Sequence, residues 1–160
     1  AHAAGNIELN LHDWNVDFAS WCTYKYLNSG PGSVAGVFVH EKNLKNLDLP
    51  LFAGWWGHDK ATRFLMDKTF VPMHTAERWQ LSNAPVLSMA ACRASLDIFE
   101  EVGMAALIQK SNKLTAYLEF IIQEINLQKN NCLQIITPKV NRGCQISIIA
   151  NGYGKEYLQT

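Results

Sequence analysis

Apolar positions follow two different periods along the chain. Val86, Met89, Ala90, Leu96, Ile98 and Phe99 recur at near-helical spacing over residues 86–101. Leu107, Leu114, Leu118, Ile121, Ile122 and Ile125 then share one stripe over residues 104–127. Both stretches predict amphipathic helices. Gly103 separates them, and Ser82 or Asn83, with Pro85 near the first turn, signals the start of the first. Upstream the pattern changes. Residues 16–26 predict a buried strand running into Tyr24-Lys25-Tyr26, and residues 34–40 predict a second strand. The turn cluster Asn28-Ser29-Gly30-Pro31-Gly32-Ser33 lies between them. Residues 42–50 read as a connector. Residues 51–82 carry no clean period, so Gly54-Trp55-Trp56-Gly57-His58 is expected in a loop, and long irregular stretches are often functional. Beyond Lys129-Asn130-Asn131, two short strand-like runs, 133–137 and 145–150, flank a Pro/Asn/Arg/Gly turn. A boundary is therefore expected near residue 130, and the residues beyond it are too few to fold alone.

Composition narrows the class. The 160 residues are 48% hydrophobic and 18% charged, which excludes a disordered chain. Fourteen Lys and Arg balance fourteen Asp and Glu, so the basic stripe of a nucleic-acid binder is absent. No apolar run approaches the roughly 20 residues that span a bilayer, so no membrane partner is expected. The opening Ala-His-Ala-Ala-Gly has neither the charge nor the apolar stretch of a signal peptide, and there is no initiator Met. The chain is therefore expected to begin within something larger. Cys22, Cys92, Cys132 and Cys144 show no CxxC spacing and are expected to be reduced thiols of a cytoplasmic protein.

The most suggestive chemistry lies in Trp21-Cys22-Thr23-Tyr24-Lys25-Tyr26-Leu27-Asn28. A lysine between aromatics at a strand end is expected to be poorly solvated, which leaves more of it as free amine. A free amine condenses with an aldehyde cofactor. An ordinary surface lysine at a strand end fits the same pattern. His2 precedes small residues, Ala3-Ala4-Gly5, which let a backbone approach a flat ligand. Taken alone it reads rather as a loop histidine. His12-Asp13 could pair, with local capping as the other reading, and His40-Glu41 is expected to be solvated. The five histidines form no spaced ligand set, so no metal is expected. Trp55 and Trp56 either plug a core or line a site or subunit interface. Asn83 reads as a helix cap or a ligand contact, and the helix start behind it would suit a phosphate.

These segments resemble the kynureninase family, pyridoxal-phosphate enzymes of the fold type I, aminotransferase-like α/β class. The resemblance runs through Ala1–Asn6, Leu11-His12-Asp13-Trp14, Trp21–Asn28, Gly54-Trp55 with Gly57-His58, Ser82-Asn83 with Pro85, Ala94-Ser95-Leu96, and Ile135–Pro138 with Arg142–Gln145. The Tyr-Lys-Tyr-Leu-Asn and Gly-Trp-x-Gly-His blocks together are its most specific part. It implies that Lys25 holds pyridoxal 5'-phosphate as an imine and moves the substrate α-proton. It implies that Tyr24 sits at the cofactor phosphate and takes part in proton transfer, and that His2 lies beside the pyridine ring. Trp55 and Asn83 would reach the phosphate and substrate region from the neighbouring subunit of a homodimer. His58 receives no role.

The implied reaction is hydrolytic Cβ–Cγ cleavage of L-kynurenine, or 3-hydroxykynurenine, to anthranilate, or 3-hydroxyanthranilate, and L-alanine. It belongs to tryptophan catabolism through the kynurenine pathway and to NAD biosynthesis. Residues 1–129 would be the later part of the cofactor-binding large domain with bridging helices, and 130–160 the beginning of the small C-terminal domain. The family's acidic partner of the pyridine nitrogen, its ring-stacking aromatic and its carboxylate-gripping arginine fall outside these residues. Thr23 stands where the family often has Ser. The 160 residues alone are expected to be inactive. A cysteine-desulfurase-like enzyme of the same fold would share the Lys block but carry its cysteine on a mobile loop. A non-catalytic scaffold of the same fold would have no reason to keep Tyr24-Lys25.

Overall fold

In the computed structural model, residues 2–130 and 132–150 are described. The fold is mixed α/β. Two compact units divide it, one built from residues 2–4 and Leu9–Ile98, the other from Gly5–Glu8 and the described residues from Phe99 onward. The last ten residues of the expected small domain, 151–160, lie outside the described residues.

The first unit is organised by a two-stranded antiparallel ribbon. Strand β1 (Phe18–Cys22) pairs with β2 (Ala35–Val39), in a register running from Phe18 opposite Val39 to Cys22 opposite Ala35. Both strands fall where the alternating positions placed them, but β1 is shorter than the expected 16–26. It is also not a buried strand: Phe18 and Ser20 are exposed, and Ala19, Trp21 and Cys22 half-buried. β1 ends where the chain turns at Thr23 and has β2 as its one strand neighbour among the described residues.

After β2, the short helix α1 (Glu41–Leu44) starts at His40, whose Nδ1 accepts the Lys42 backbone N–H at 3.1 Å. This corrects the expectation of a solvated His40. Its ring is buried, stacked on His12 at 4.7 Å between centroids. Imidazole can cap a helix when its acceptor nitrogen faces the first free amides.

Residues 51–82 contain no long element, as their missing period implied. Three 3-10 turns occur instead, at Trp55–Gly57, Arg63–Leu65 and Ala76–Trp79. Order comes from two buried arginines. Arg63 Nη2 donates to the carbonyls of Trp56 (2.7 Å) and His58 (3.0 Å), and its guanidinium lies 4.5 Å from the Trp56 ring centroid. Arg78, only 1% exposed, donates to the carbonyls of Leu44 (2.8 Å) and Asn46 (3.2 Å) and stacks on Trp79. A guanidinium offers five donors in a plane, so one side chain satisfies several loop carbonyls.

Helix α2 (Val86–Val102) begins with the Met89 N–H bonded to the Pro85 carbonyl, which puts Pro85 at the cap position and corrects the expectation that Ser82 or Asn83 caps it. In the second unit, helix α3 (Met104–Gln128) follows Gly103, whose φ of 78° is a conformation that other residues rarely adopt. Both helices match their expected ranges within a residue or so. Their apolar stripes are less covered than expected. Ile122 is buried on α3, whereas Leu114, Leu118, Ile121 and Ile125 remain exposed, and on α2 the buried residue is Cys92. Strands β3 (Leu133–Ile135) and β4 (Ile148–Ala150) pair antiparallel. Asn126 of α3 clasps Leu133 from both sides, accepting its N–H at 2.9 Å and donating to its carbonyl at 2.6 Å. Arg142, in the loop between β3 and β4, is paired with Glu119 of α3. Among the described residues no helix is long and apolar enough to cross a membrane.

Candidate functional site

The Lys25 turn is built by hydrogen bonds that leave its amine free. Thr23 closes the ribbon: its buried hydroxyl donates to the Val34 carbonyl and meets Ser33 Oγ at 3.1 Å. Inside the turn, Asn28 N–H donates to the Lys25 carbonyl (3.0 Å) and Ser29 N–H to the Thr23 carbonyl (3.1 Å). Asn28 takes a left-handed φ of 53°, a conformation that asparagine tolerates better than most residues. Leu27 is buried, and its carbonyl accepts the Ser95 hydroxyl from α2.

The Lys25 side chain is exposed. The expected desolvation by flanking aromatics is therefore corrected: Tyr24 is 48% exposed, and the ammonium lies 5.7 Å from its ring centroid. Tyr24 adjoins Lys25 in sequence, and its side chain is half exposed. Among the described residues the Lys25 amine has neither a hydrogen bond nor an ion pair. An exposed, unpaired amine on a clamped turn fits condensation with a carbonyl cofactor.

Tyr24 has a specific neighbour. A hydrogen bond with Cys22, and the charge of that thiol when ionised, hold the phenol above its ordinary pKa of 10.0. A phenol at its ordinary pKa of 10.0 is already protonated near neutrality, and the thiol moves it further in that direction. All four cysteines are free.

Trp55 stands half-exposed in its loop. Its Nε1 donates to the Arg63 carbonyl at 2.9 Å, and its ring meets Trp56 and Phe64 edge to face, with centroids 6.2 and 5.5 Å away. Trp55, His58, Arg63, Met66 and Asp67 line a cavity of about 200 Å³. Of the two readings left open for the tryptophans, Trp56 is half-buried beneath the Arg63 guanidinium and Trp55 is the ring on the surface. His58 is buried and structural. Its Nδ1 accepts the Val71 N–H at 3.3 Å, so Nε2 carries the proton facing Thr62 Oγ1 at 2.9 Å.

Asn83 is exposed, just ahead of α2. Its segment runs against the Trp55 loop: a Cβ on Gly54 would overlap the backbone of Leu81. Trp55 thus directly follows one of two touching stretches of chain, and Asn83 lies two positions beyond the other. His2 is exposed near the start of the same unit. Among the described residues no hydrogen bond, ion pair or ring contact joins His2, Trp55 or Asn83 to Lys25.

Three residues escape a reading of the sequence. Arg63 and Arg78 read as ordinary loop cations, and Ser95 as a serine without a role. No local signal marks the arginines, because their acceptors are backbone carbonyls, for Arg78 more than thirty positions away. Ser95 carries a weak signal, a hydroxyl inside a helix interior.

No protein-family model matches the chain. Comparison with curated proteins leads first to a class, enzymes of bacteria, and within it to one enzyme. The chain is similar to kynureninase. It is 55% identical over 157 residues to the kynureninase of Flavobacterium psychrophilum, covering 97% of this chain and 37% of that protein. It is 56% identical over 150 residues to that of Koribacter versatilis, covering 92% and 35%. It is 53% identical over 154 residues to that of Myxococcus xanthus, covering 95% and 35%. The chain thus spans somewhat over a third of the length of these relatives, and it matches a segment of them.

Proposed function

We propose that this chain is the lysine-bearing segment of a kynureninase, a fold type I enzyme that uses pyridoxal 5'-phosphate and water to cleave the Cβ–Cγ bond of L-kynurenine or its 3-hydroxy form. The observation that carries the reading is the free Lys25 amine on a turn clamped by Thr23, within a segment 53–57% identical to kynureninases. Bound pyridoxal phosphate supplies an electron sink that makes negative charge at the substrate α-carbon accessible.

The protein's part is positioning and proton transfer. Lys25 holds the cofactor and then moves the proton at the substrate α-carbon. Such transfers typically contribute about 10²–10⁴-fold. Tyr24 would donate its phenolic proton at the cofactor phosphate. His2 lies beside the pyridine ring. Trp55 and Asn83 serve the phosphate and substrate region of the partner subunit in a homodimer. Their exposure, and the contact of their two segments at Gly54 and Leu81, support a shared role at a surface. Residues 1–129 belong to the large domain and 130–160 open the small one. Four free thiols favour a cytoplasmic location.

The test is borohydride reduction of the complete natural chain with pyridoxal phosphate, followed by peptide mass mapping and an assay of anthranilate release. A reduced adduct on Lys25 with anthranilate formed from kynurenine is the expected result. An adduct without anthranilate release would redirect the reading to another fold type I enzyme. No adduct would leave a non-catalytic scaffold.

A further inference from the structure

We propose that Ser95 is a positioning residue, which fixes the Lys25 turn to helix α2 through the Leu27 carbonyl. The inference rests on the reading of Lys25 as the cofactor lysine. A serine in a helix interior ordinarily turns its hydroxyl back to its own helix, toward a carbonyl three or four positions earlier. Ser95 instead donates to a carbonyl 68 positions away. It gives up local satisfaction in a helix where serine has modest propensity at best.

The acceptor is well placed for control. The turn secures the carbonyls of Thr23 and Lys25 with its own amides, at 3.1 and 3.0 Å, while the Leu27 carbonyl is taken by Ser95. The turn is not self-sufficient in polar partners, since the buried Ser29 hydroxyl has none among the described residues. Thr23 therefore anchors the entry of the turn to Val34, just ahead of β2, and Ser95 anchors its exit to α2. With both ends tied, the Lys25 backbone has a defined position while its side chain stays free. The same helix starts at Val86, three positions after Asn83. One rigid element thus carries the exit of the lysine turn and follows the asparagine assigned to the substrate side.

The experiment uses the complete natural chain, with Ser95→Ala, Ser95→Thr and Ser95→Cys. Amide hydrogen exchange over residues 23–29 is followed without cofactor, and the pH titration of the bound cofactor's absorbance with it. Ser95→Ala is expected to speed exchange of the Asn28 and Ser29 amides about tenfold, as loss of one hydrogen bond allows. It should also shift the titration midpoint and lower kcat with KM little changed. Ser95→Thr, which keeps the hydroxyl, should restore all three. Should Ser95→Ala fail to fold, Ser95→Cys, similar in size but a weak donor, carries the same comparison. Unchanged exchange and an unchanged midpoint, in a parent protein that does carry the Lys25 adduct, overturn the inference. A parent without the adduct defeats the kynureninase reading instead, and exchange alone then decides whether the tether exists.

Discussion

The indole Nε1 of Trp55 donates to the backbone carbonyl of Arg63 at 2.9 Å, while the Arg63 side chain reaches back to the carbonyls on either side of Gly57. The two residues close a reciprocal ring of main-chain and side-chain bonds. The ring fixes the tryptophan without burying it.

Replacing Arg63 should therefore cost stability more than its place in an irregular loop suggests. Arg63→Met keeps the stem but strands two carbonyls. The expected loss is about 3 kcal/mol, given roughly 1.5–3 for each hydrogen bond to a charged group. Urea unfolding of the complete chain measures it, and a loss within error of zero would contradict the ring.

Lys25→Ala should remove the borohydride adduct and lower anthranilate release by on the order of 10³-fold or more, since both cofactor attachment and proton transfer are lost. Retained adduct on another lysine would show that the assignment is misplaced.

Cys22→Ala should bring the Tyr24 phenol back toward its ordinary pKa. The thiol now holds it up, so without Cys22 the phenolate forms at lower pH. Tyrosinate absorbance, compared with Tyr24→Phe as the blank, follows the change. A midpoint that does not move excludes the Cys22–Tyr24 bond.

The exposed ion pairs of Asp17 and His12 contribute to the pH response of the first unit. Lys42, with help from Asn43, lowers the Asp17 carboxyl below its ordinary 3.8. That contribution is present above the unfolded pKa and is lost as pH falls through 3.8 to the lower folded value. Asp13 and then Glu41 raise His12 above 6.5. Its contribution is complete below 6.5 and is lost as pH rises through the folded value. Asp17→Asn should flatten the acid limb of a stability–pH curve, and His12→Gln the limb just above 6.5. Denaturant midpoints against pH decide both, and identical curves for parent and variant would refute the assignment.

Gly54→Ala should separate the Trp55 loop from the Asn83 segment. The backbone φ of −68° is one that alanine accepts, so the cost is steric, against the Leu81 main chain. About 1–3 kcal/mol is expected, as for overpacking elsewhere. Cofactor affinity should fall along with stability. A variant as stable as the parent would mean that the two segments yield freely.

Most of the architecture could be read from the sequence wherever a period was long. The stripes on 86–101 and 104–127, broken at Gly103, placed α2 and α3 to within a residue or so. The alternating positions and the Asn28–Ser33 turn cluster placed the β1–β2 ribbon. Burial was less legible. A stripe such as Leu114–Ile125 says which face is apolar, not what covers it, and much of that face is exposed. His40 looked solvated because its charge neighbours are local, whereas its burial comes from stacking on His12, far away in sequence. For the site, the lysine turn was legible as a motif. Its clamps were not, because Thr23 and Ser95 act through carbonyls supplied by other elements.

The two buried arginines also change what the irregular segment can do with its aromatic rings. Loops are commonly held in shape by sinking such rings into an apolar interior, which takes them out of use. Here Arg63 and Arg78 gather the main chain from within, so the loop keeps its form with little apolar interior of its own. That division of labour leaves Trp55 half exposed with its Nε1 bonded, a flat and polarisable ring held still yet available.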